Sequence, residues 1–212
     1  MRNIVPGATI SRLPVYLRAL GDFPPSQTTC SSEQLATLAG VNSAQVRKDL
    51  SYLGTHGTRG VGYDIEQLRT QLRKALGLER QYGVMIVGGG NLGSALGNYG
   101  GFAPWGFDVR AVVDADPAKH DTVIAGLVVE PLDHLEQIVG ERVIEIAIIA
   151  TPATAAQEVA DRLTAAGVQS ILNFAPTVID VDPSVEVRRV DLSTELQILT
   201  YHLHHSAEAT GS

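Results

Sequence analysis

Residues 82–93 read YGVMIVGGGNLG, an apolar run that passes directly into three glycines. The run is typical of a buried strand, and the pattern Gly88-x-Gly90-x-x-Gly93 follows it where a helix would begin. In that setting the first glycine permits a tight turn, the second admits a pyrophosphate and the third lets the helix pack on the strand. Helix N-terminal amides would bind the phosphates. The stretch therefore predicts a dinucleotide site at Gly88, Gly89, Gly90, Asn91, Leu92 and Gly93.

Outward from this stretch, apolar strands alternate with helical segments. Near-continuous apolar strands separated by helices predict an α/β fold with a parallel sheet covered on both faces. A last helix, at about 193–205, carries Leu196, Leu199 and Leu203 on one stripe, and it follows the completed sheet. A partner chain is one candidate for what it packs on. The predicted strands are 82–88, 107–114, 143–150, 168–174 and 185–190, and the helices between them are 91–99, 131–139 and 153–166.

Two later positions extend the predicted cofactor site. Asp114 ends the second strand, 26 residues after Gly88, close to the spacing at which an acid binds ribose hydroxyls. A carboxylate there would repel a 2′-phosphate, which favours NAD(H) over NADP(H). The alternative is that Asp114 merely ends a strand beside Asp116. A second loop on the cofactor side is expected at Thr151 and Pro152, after the third strand.

The N-terminal part of the chain predicts short helices instead. A first helix either begins near Ser11, with Pro14 in its first turn, or kinks at Pro14. Ser31-x-x-Gln34 is a capping box that starts a second helix, and a third runs over 43–53. Two short helices joined by a glycine-containing turn are typical of a helix-turn-helix. The segment GTHGTRGVG at 54–62 suits a hairpin or wing, and a further helix follows at about 65–76.

The helix at 43–53 has the two faces that a DNA recognition helix needs. Val46, Leu50 and Leu53 recur at helical spacing and should pack on the preceding helix. The remaining surface carries cations, amides and hydroxyls that reach base edges and phosphates, and the glycine-rich loop is placed like a wing. The alternative is a protein-interaction module with solvated charges. The predicted DNA contacts are Ser43, Ala44, Gln45, Arg47, Lys48, Ser51, Tyr52, Arg59 and Gly60.

The charges divide the chain in the same place. Residues 1–75 hold nine Lys/Arg and five Asp/Glu, a net of +4, whereas residues 76–212 hold seven and eighteen, a net of −11. This distribution excludes a general nucleic-acid coat and assigns DNA contact to the N-terminal part. The single Cys30 can form neither an internal disulfide nor a thiolate metal cage. With no signal peptide and no membrane-length apolar run, we expect a soluble, cytoplasmic protein that uses no metal and no membrane.

Catalytic motifs are missing from the sequence. It contains no G-x-S-x-G, no Cys/His pairing and no metal-ligand cluster of suitable spacing. His202, His204 and His205 are spread around the axis of the last helix and suit a solvated tail. A regulator is therefore expected rather than an enzyme. Two alternatives stay open: an NAD-dependent oxidoreductase with an accessory helical domain, and a CoA- or nucleotide-binding structural subunit.

Five stretches carry a family likeness that covers essentially the whole chain: SRLP at 11–14, AQVRKDLSY at 44–52, GTRGVGY at 57–63, GGGNLG at 88–93 and ILNFAP at 171–176. Together they resemble the redox-sensing transcriptional repressors of the Rex family. The resemblance implies a homodimer whose subunits bind palindromic double-stranded operators when NADH is scarce and release them when NADH rises. It also implies a winged helix-turn-helix domain (1–78), a Rossmann-like NAD(H)-binding domain (79–190) and a C-terminal dimerisation helix and tail (191–212) swapped between subunits.

The resemblance also assigns roles to single residues. Tyr99 should lie near the nicotinamide, and Arg18 and Asp191 match positions that can link the DNA-binding and nucleotide domains. Leu192 departs from the family pattern, because some relatives carry a phenylalanine there close to the nicotinamide. Thr151 departs as well, since relatives often have an apolar residue at that position. Its hydroxyl would either reach the cofactor or cap the helix that Pro152 starts.

Overall fold

The computed structural model describes residues 5–58 and 60–209, and the chain divides into two compact units with the boundary after Arg80. In the N-terminal unit, two short strands pair antiparallel and accompany a set of helices. The boundary predicted from the sequence lies after residue 78. The elements of this unit are α1 (Gly7–Ala19), β1 (Thr29–Cys30), α2 (Ser32–Ala39), α3 (Ser43–Tyr52), β2 (Tyr63–Asp64) and α4 (Ile65–Ala75).

Helices α2 and α3 form the predicted helix-turn-helix, and local hydrogen bonds fix its corners. The Ser31 hydroxyl accepts from the Gln34 amide at 3.2 Å, and the Gln34 side chain accepts from the Ser31 amide at 2.9 Å. Gly40 ends α2 with a φ of 66°, and the Asn42 side chain accepts from the Gln45 amide at 2.8 Å to begin α3. The capping box and the turn are therefore confirmed.

The first helix starts earlier than expected. It begins at Gly7, four residues before Ser11, so the prediction of a start near Ser11 is wrong and Pro14 lies inside the helix. Proline has no amide hydrogen to donate there. Leu13 and Leu17 are buried on the inner face of α1, and this packing offsets the lost hydrogen bond.

The glycine-rich segment forms the predicted wing. Thr58 and Gly62 face each other across an antiparallel bridge and exchange two backbone hydrogen bonds of 2.8 Å each. Gly62 has a φ of 96°, and a Cβ on it would overlap the Cys30 carbonyl oxygen, so only glycine fits. Gly60 lies at the exposed tip of this hairpin. Arg59, the predicted wing contact, lies outside the described residues.

The C-terminal unit is a seven-stranded sheet in the order β5-β6-β4-β3-β7-β8-β9. All neighbouring strands are parallel except β5, which pairs antiparallel with β6. With the short β5 set aside, this is the strand order of a doubly wound dinucleotide-binding sheet. The elements are β3 (Tyr82–Val87), α5 (Asn91–Gly97), β4 (Phe107–Asp114), β5 (Val123–Ile124), β6 (Leu127–Pro131), α6 (Leu135–Glu141), β7 (Ile144–Ile149), α7 (Ala153–Ala165), β8 (Ser170–Asn173), β9 (Glu186–Arg189) and α8 (Leu192–Ala209).

The hairpin β5–β6 was not predicted from the sequence, and the helix expected at 131–139 starts later. Ala125 and Gly126, with φ values of 55° and 79°, form a two-residue turn of the kind that connects twisted strands. The strands on either side are short and lack the long apolar run of β3. Residues 132–134 form a single 3₁₀ turn, and α6 continues from it to Glu141.

Both faces of the sheet are covered, as predicted. Met85 and Val87 of β3 point to the face covered by α6 and α7, whereas Val84 and Ile86 point to the face covered by α5. This alternation buries successive side chains of one strand in two separate cores. Within the described ranges, no helix is long and apolar enough to cross a bilayer.

Candidate functional site

The loop between β3 and α5 contains two glycines at which any side chain would collide with the protein's own backbone. Gly88 has a φ of 108°, and a Cβ on it would lie 2.6 Å from the Ala150 carbonyl oxygen. A Cβ on Gly93 would overlap the Gly88 carbonyl oxygen. These contacts hold the start of α5 tightly against the ends of β3 and β7. The tight turn predicted at the first glycine and the close packing predicted at the third therefore agree with the geometry.

Gly90 differs from both. It precedes α5 as its N-cap and supplies no side-chain cap. A Cβ on Gly90 would meet nothing in the protein within 4 Å except the Lys119 ammonium at 4.0 Å. The fold does not require a glycine at this position. The open space over the first amides of α5 suits a ligand that must approach the backbone closely.

Asp114 lies at the end of β4 beside this loop and is held by three donors. Its Oδ2 accepts from the Gly89 amide at 2.6 Å and from the Lys119 ammonium at 3.0 Å, and its Oδ1 accepts from the Asp116 amide at 2.8 Å. Burial opposes ionisation, but these hydrogen bonds outweigh it and lower the pKa of Asp114. The carboxylate is therefore ionised and oriented. Sequence reasoning missed Lys119; its place five residues after the acid was the available signal.

The Thr151 hydroxyl is an unsatisfied polar group in this region. Its Oγ1 is buried and has no hydrogen-bond partner among the described residues. Helix α7 begins after Pro152 without a side-chain cap, so the structure does not show the capping role. The Thr151 backbone lies near Gly88, since a Cβ on that glycine would come within 3.3 Å of the Thr151 nitrogen. A buried hydroxyl without a partner costs free energy, which points to a ligand that supplies one. The donor set as a whole fits a dinucleotide.

Tyr99 lies beyond the far end of α5, away from the glycine loop. It is 57% exposed and meets the Phe102 ring edge-on, with the ring centroids 5.0 Å apart. The two rings line a cleft of about 420 Å³ together with Gln81 and Phe107, at the amino ends of β3 and β4. The structure therefore does not bring Tyr99 into one cavity with the glycine loop. Its contact with the nicotinamide stays a prediction.

The two residues expected to link the domains lie in different units. Arg18 is exposed in the last turn of α1. Asp191 precedes α8, where its Oδ2 accepts from the Arg189 guanidinium at 2.6 Å and its Oδ1 from the Ser193 hydroxyl at 2.6 Å. The Ser193 hydrogen bond lowers the pKa of Asp191. The link between the two residues stays a prediction.

The polar face of α3 is arranged as predicted. Val46 and Leu50 are buried, and the exposed residues of this helix include Arg47, Lys48 and Ser51. Ala44 is exposed with them, whereas Ser43, Gln45 and Tyr52 are half-buried. The Lys48 ammonium makes no ion pair within the described part of the chain, so it remains available to a phosphate or a base.

Arg47 is less free than its exposure suggests. Its Nη1 donates to the Ser32 hydroxyl at 2.8 Å and approaches Glu33 at 3.2 Å, both in the first turn of α2. It lines a groove of about 570 Å³ with the α2 N-terminus and the wing residues His56 and Thr58. A DNA backbone in this groove would meet hydroxyls, an imidazole and a guanidinium, and Arg47 would exchange Glu33 for a phosphate.

Sequence reasoning missed Asp49 on α3, a heavily hydrogen-bonded side chain of this unit. Its side chain is fully buried, and its oxygens accept five hydrogen bonds. Burial opposes ionisation, but the donors hold the pKa of Asp49 well below its ordinary range. A signal was present, because Asp49 follows Val46 by three residues and so lies on the buried stripe of α3. The donors are Thr9, Arg12 (twice) and Tyr16 of α1, and Gln45 of α3.

The described residues contain no group of three or more His, Cys, Asp or Glu side chains that could hold a metal ion. The last helix keeps its three histidines exposed, in ring contacts with one another or with Tyr201.

Comparison with known proteins identifies both units. Residues 4–51 match a family described as a putative DNA-binding protein N-terminus, and residues 79–177 match a CoA binding domain family. The redox-sensing transcriptional repressor Rex of Streptomyces griseus is 57% identical over 204 residues, which cover 96% of this chain and 81% of the relative. That of Desulfitobacterium hafniense is 48% identical over 94% of this chain and 95% of the relative.

A solved structure has the same architecture over both units. The Rex-family repressor RSP, in complex with β-NAD⁺ and operator DNA, has a TM-score of 0.90 at 35% identity and covers 98% of this chain and 96% of its own. Similarity of this extent confirms the predicted α/β fold and the N-terminal DNA-binding domain. It also confirms the prediction that the protein is a regulator rather than an enzyme. The chain belongs to the Rex family of redox-sensing transcriptional repressors.

Proposed function

We propose that this protein represses transcription by binding a palindromic DNA operator when NADH is scarce, and that NADH binding to the C-terminal unit releases it. The observation that carries the proposal is the buried, unpartnered Thr151 hydroxyl, whose residue lies near Gly88 in the same loop that leaves open space at Gly90. RSP, at 34% identity and a TM-score of 0.88, has a structure in complex with β-NADH besides the one with β-NAD⁺ and operator DNA. Family membership and the glycine loop, which leaves room for a dinucleotide, therefore both support a repressor that is controlled by NADH.

In this proposal, different residues contact different parts of the cofactor. Amides at Gly90 and Asn91 would bind the pyrophosphate, since the Gly89 amide already donates to Asp114, and Asp114 would accept from ribose hydroxyls. The Thr151 hydroxyl would find its partner in the bound dinucleotide. Lys119 neutralises part of the Asp114 charge and orients its Oδ2. The carboxylate still disfavours a 2′-phosphate, so NAD(H) is the expected pair.

The switch requires a difference in affinity between two arrangements of the protein. Bound NAD supplies a nicotinamide ring that is cationic when oxidised and neutral when reduced, which nearby charges can distinguish. A ligand shifts an equilibrium only by its differential affinity for the two states. In the DNA-binding arrangement, two α3 helices would lie about one helical turn apart on the duplex. NADH would favour an arrangement in which that spacing is lost.

Two copies of α3 require a dimer, and α8 is the surface that would form it. Leu192, Leu196, Leu199 and Leu203 are 57–73% exposed on one stripe of this helix. A stripe of this kind is uncommon on a monomer. We place it against a second copy of the chain, with α8 inserted between the partner's two domains as the family resemblance implies. A DNA-binding repressor of this kind would act in the cytoplasm.

Replacing Leu199 by Asp should break the dimer. A charge at the centre of an apolar helix interface is left unpaired and desolvated, which costs several kcal/mol. Light scattering after size exclusion should report twice the mass of one chain for the wild type and one chain for the variant. The matched change Val178→Asp, at a side chain that is 76% exposed outside α8, should leave the dimer intact. A dimeric L199D variant would contradict the assignment of this face.

The proposed function is tested by DNA binding measured against four ligands side by side. Fluorescence anisotropy with a palindromic operator should show tight binding without ligand and release by NADH. NAD⁺ should release less, and NADPH and CoA should have no effect at matched concentrations. Binding that is strong without NADH and unchanged by it would refute the switch, and release by CoA alone would favour a CoA-binding subunit. Turnover of NADH with a small carbonyl compound would favour an oxidoreductase.

Replacing Lys48 by Ala should weaken binding to all DNA sequences by about tenfold. Each subunit contributes one free ammonium and one counterion-releasing phosphate contact, two in the dimer, so the slope of log K against log salt should fall by about 1.8. The control Lys74→Ala removes the same charge from the exposed side of α4 and should change neither quantity. An unchanged salt slope in K48A would remove Lys48 from the DNA contacts.

A further inference from the structure

The side chain of Gln45 lies in the first turn of α3 and touches the buried carboxylate of Asp49. Its Nε2 donates to Asp49 Oδ1 at 2.9 Å. The same carboxylate accepts from Thr9, Arg12 and Tyr16 of α1. The Gln45 amide is therefore joined to a group that the rest of the unit holds in place.

This contact decides which way the amide faces. An ionised carboxylate only accepts hydrogen bonds, so Gln45 must present its nitrogen to Asp49 and turn its oxygen away. No donor to Gln45 Oε1 is seen within residues 5–58 and 60–209. Gln45 thus keeps an accepting oxygen, in addition to its remaining N–H, on a side chain that is only half-buried. An unsupported glutamine would offer nitrogen and oxygen equally.

The direction of the amide has a consequence for base recognition. Residues in the first turn of a recognition helix reach base edges in the major groove. Adenine and cytosine present an exocyclic amino group there, whereas guanine and thymine present carbonyl oxygens. An outward oxygen at Gln45 accepts from the amino group of adenine or cytosine, and the remaining N–H can donate to adenine N7 at the same time, whereas guanine and thymine offer that oxygen no donor.

We propose that Gln45 is a specificity-determining residue that selects an amino-bearing base, adenine or cytosine, at one position of each operator half-site, and that Asp49 is the positioning residue that sets this choice. The inference rests on the proposed function, because it requires α3 to lie in the major groove. It goes beyond that function by naming the chemistry of the base and the residue that enforces it.

The test deletes single amino groups from the operator. Full-length wild-type protein without NADH is titrated with operators in which one adenine is replaced by purine, or one cytosine by 2-pyrimidinone. At one position per half-site the wild type should lose about tenfold in affinity, the equivalent of about 1.4 kcal/mol. Gln45→Met keeps the length of the side chain but cannot hydrogen-bond, and it should lose less than twofold at that position. Gln67→Met, the same change on the exposed side of α4, should behave as the wild type.

The role of Asp49 is tested in two ways. In Asp49→Asn the new amide can donate as well as accept, so Gln45 can turn over, and guanine or thymine should be tolerated at the selected position. On the wild type, NMR should show Gln45 side-chain amide protons that exchange more slowly than those of Gln67. This second measurement does not depend on whether the variant folds. Equally fast exchange at both glutamines would overturn the role of Asp49.

The outcomes separate the two proposals. A wild type that binds no operator without NADH refutes the proposed function itself. A wild type that binds the operator, with Q45M sensitive to the same amino deletions, overturns only the role of Gln45. So does a wild type that selects guanine or thymine at the position where Q45M relaxes.

Discussion

A Gly90→Val variant should fold like the wild type and fail to respond to NADH. A Cβ at Gly90 meets no protein atom closer than the end of the flexible Lys119 side chain, so the fold tolerates the new side chain. The same side chain occupies the space through which a pyrophosphate would reach the α5 amides. We expect the NADH dissociation constant to rise by about 100-fold or more, which corresponds to about 2.7 kcal/mol. The variant should stay on its operator at NADH concentrations that release the wild type.

Calorimetric titration with NADH, thermal unfolding and operator binding check this prediction together. Gly140→Val is the matched control, because a Cβ on Gly140 also meets nothing within 4 Å and the position lies in α6, away from the loop. Its NADH affinity should be unchanged. Wild-type NADH affinity in a folded G90V variant would mean that the cofactor backbone does not pass over Gly90.

The contrast between the glycines shows what could be predicted from the sequence and what could not. The pattern at 88–93 specifies local geometry. The roles of Gly88, Gly90 and Gly93 depend on the adjoining strand and helix, and the same stretch of sequence predicts both elements. The capping box at Ser31 and the polar face of α3 are short-range in the same way. Such features were predicted with their residues.

The features that were missed depend on partners distant in sequence. The carboxylate of Asp49 meets Thr9 and Arg12, which precede it by 40 and 37 residues. The strand β6 pairs with β4, whose residues at the pairing precede it by 17 positions. An amphipathic pattern shows that a position is buried but not what it meets, so the α1–α3 connection through Asp49 could not be predicted.

Replacing Asp49 by Ala should strongly destabilise the N-terminal unit and weaken operator binding. Arg12 would lose its partner, and the hydroxyls of Thr9 and Tyr16 would be left without an acceptor. Removing one member of a buried ion pair costs about 3–5 kcal/mol, and the partial exposure of Arg12 places the expected loss near the lower end, at about 3 kcal/mol. The connection between α1 and α3 is lost with it, so operator binding without NADH should fall by more than about 30-fold. Chemical denaturation of the full chain and operator titration measure the two effects.

The sign of the pH dependence identifies the carboxylate as the cause. Because the folded-state pKa of Asp49 is depressed, its stabilisation is fully present above the unfolded-state pKa of about 3.9 and is lost as the pH falls toward the folded value. The difference in unfolding free energy between wild type and D49A should therefore be constant from pH 7 to about pH 5 and shrink below pH 4. The control Asp22→Ala, at an exposed carboxylate of the same unit, should have the same unfolding free energy as the wild type both at neutral pH and below pH 4. If the gap between wild type and D49A stayed constant down to pH 3, packing of the side chain rather than its charge would hold α3 to α1.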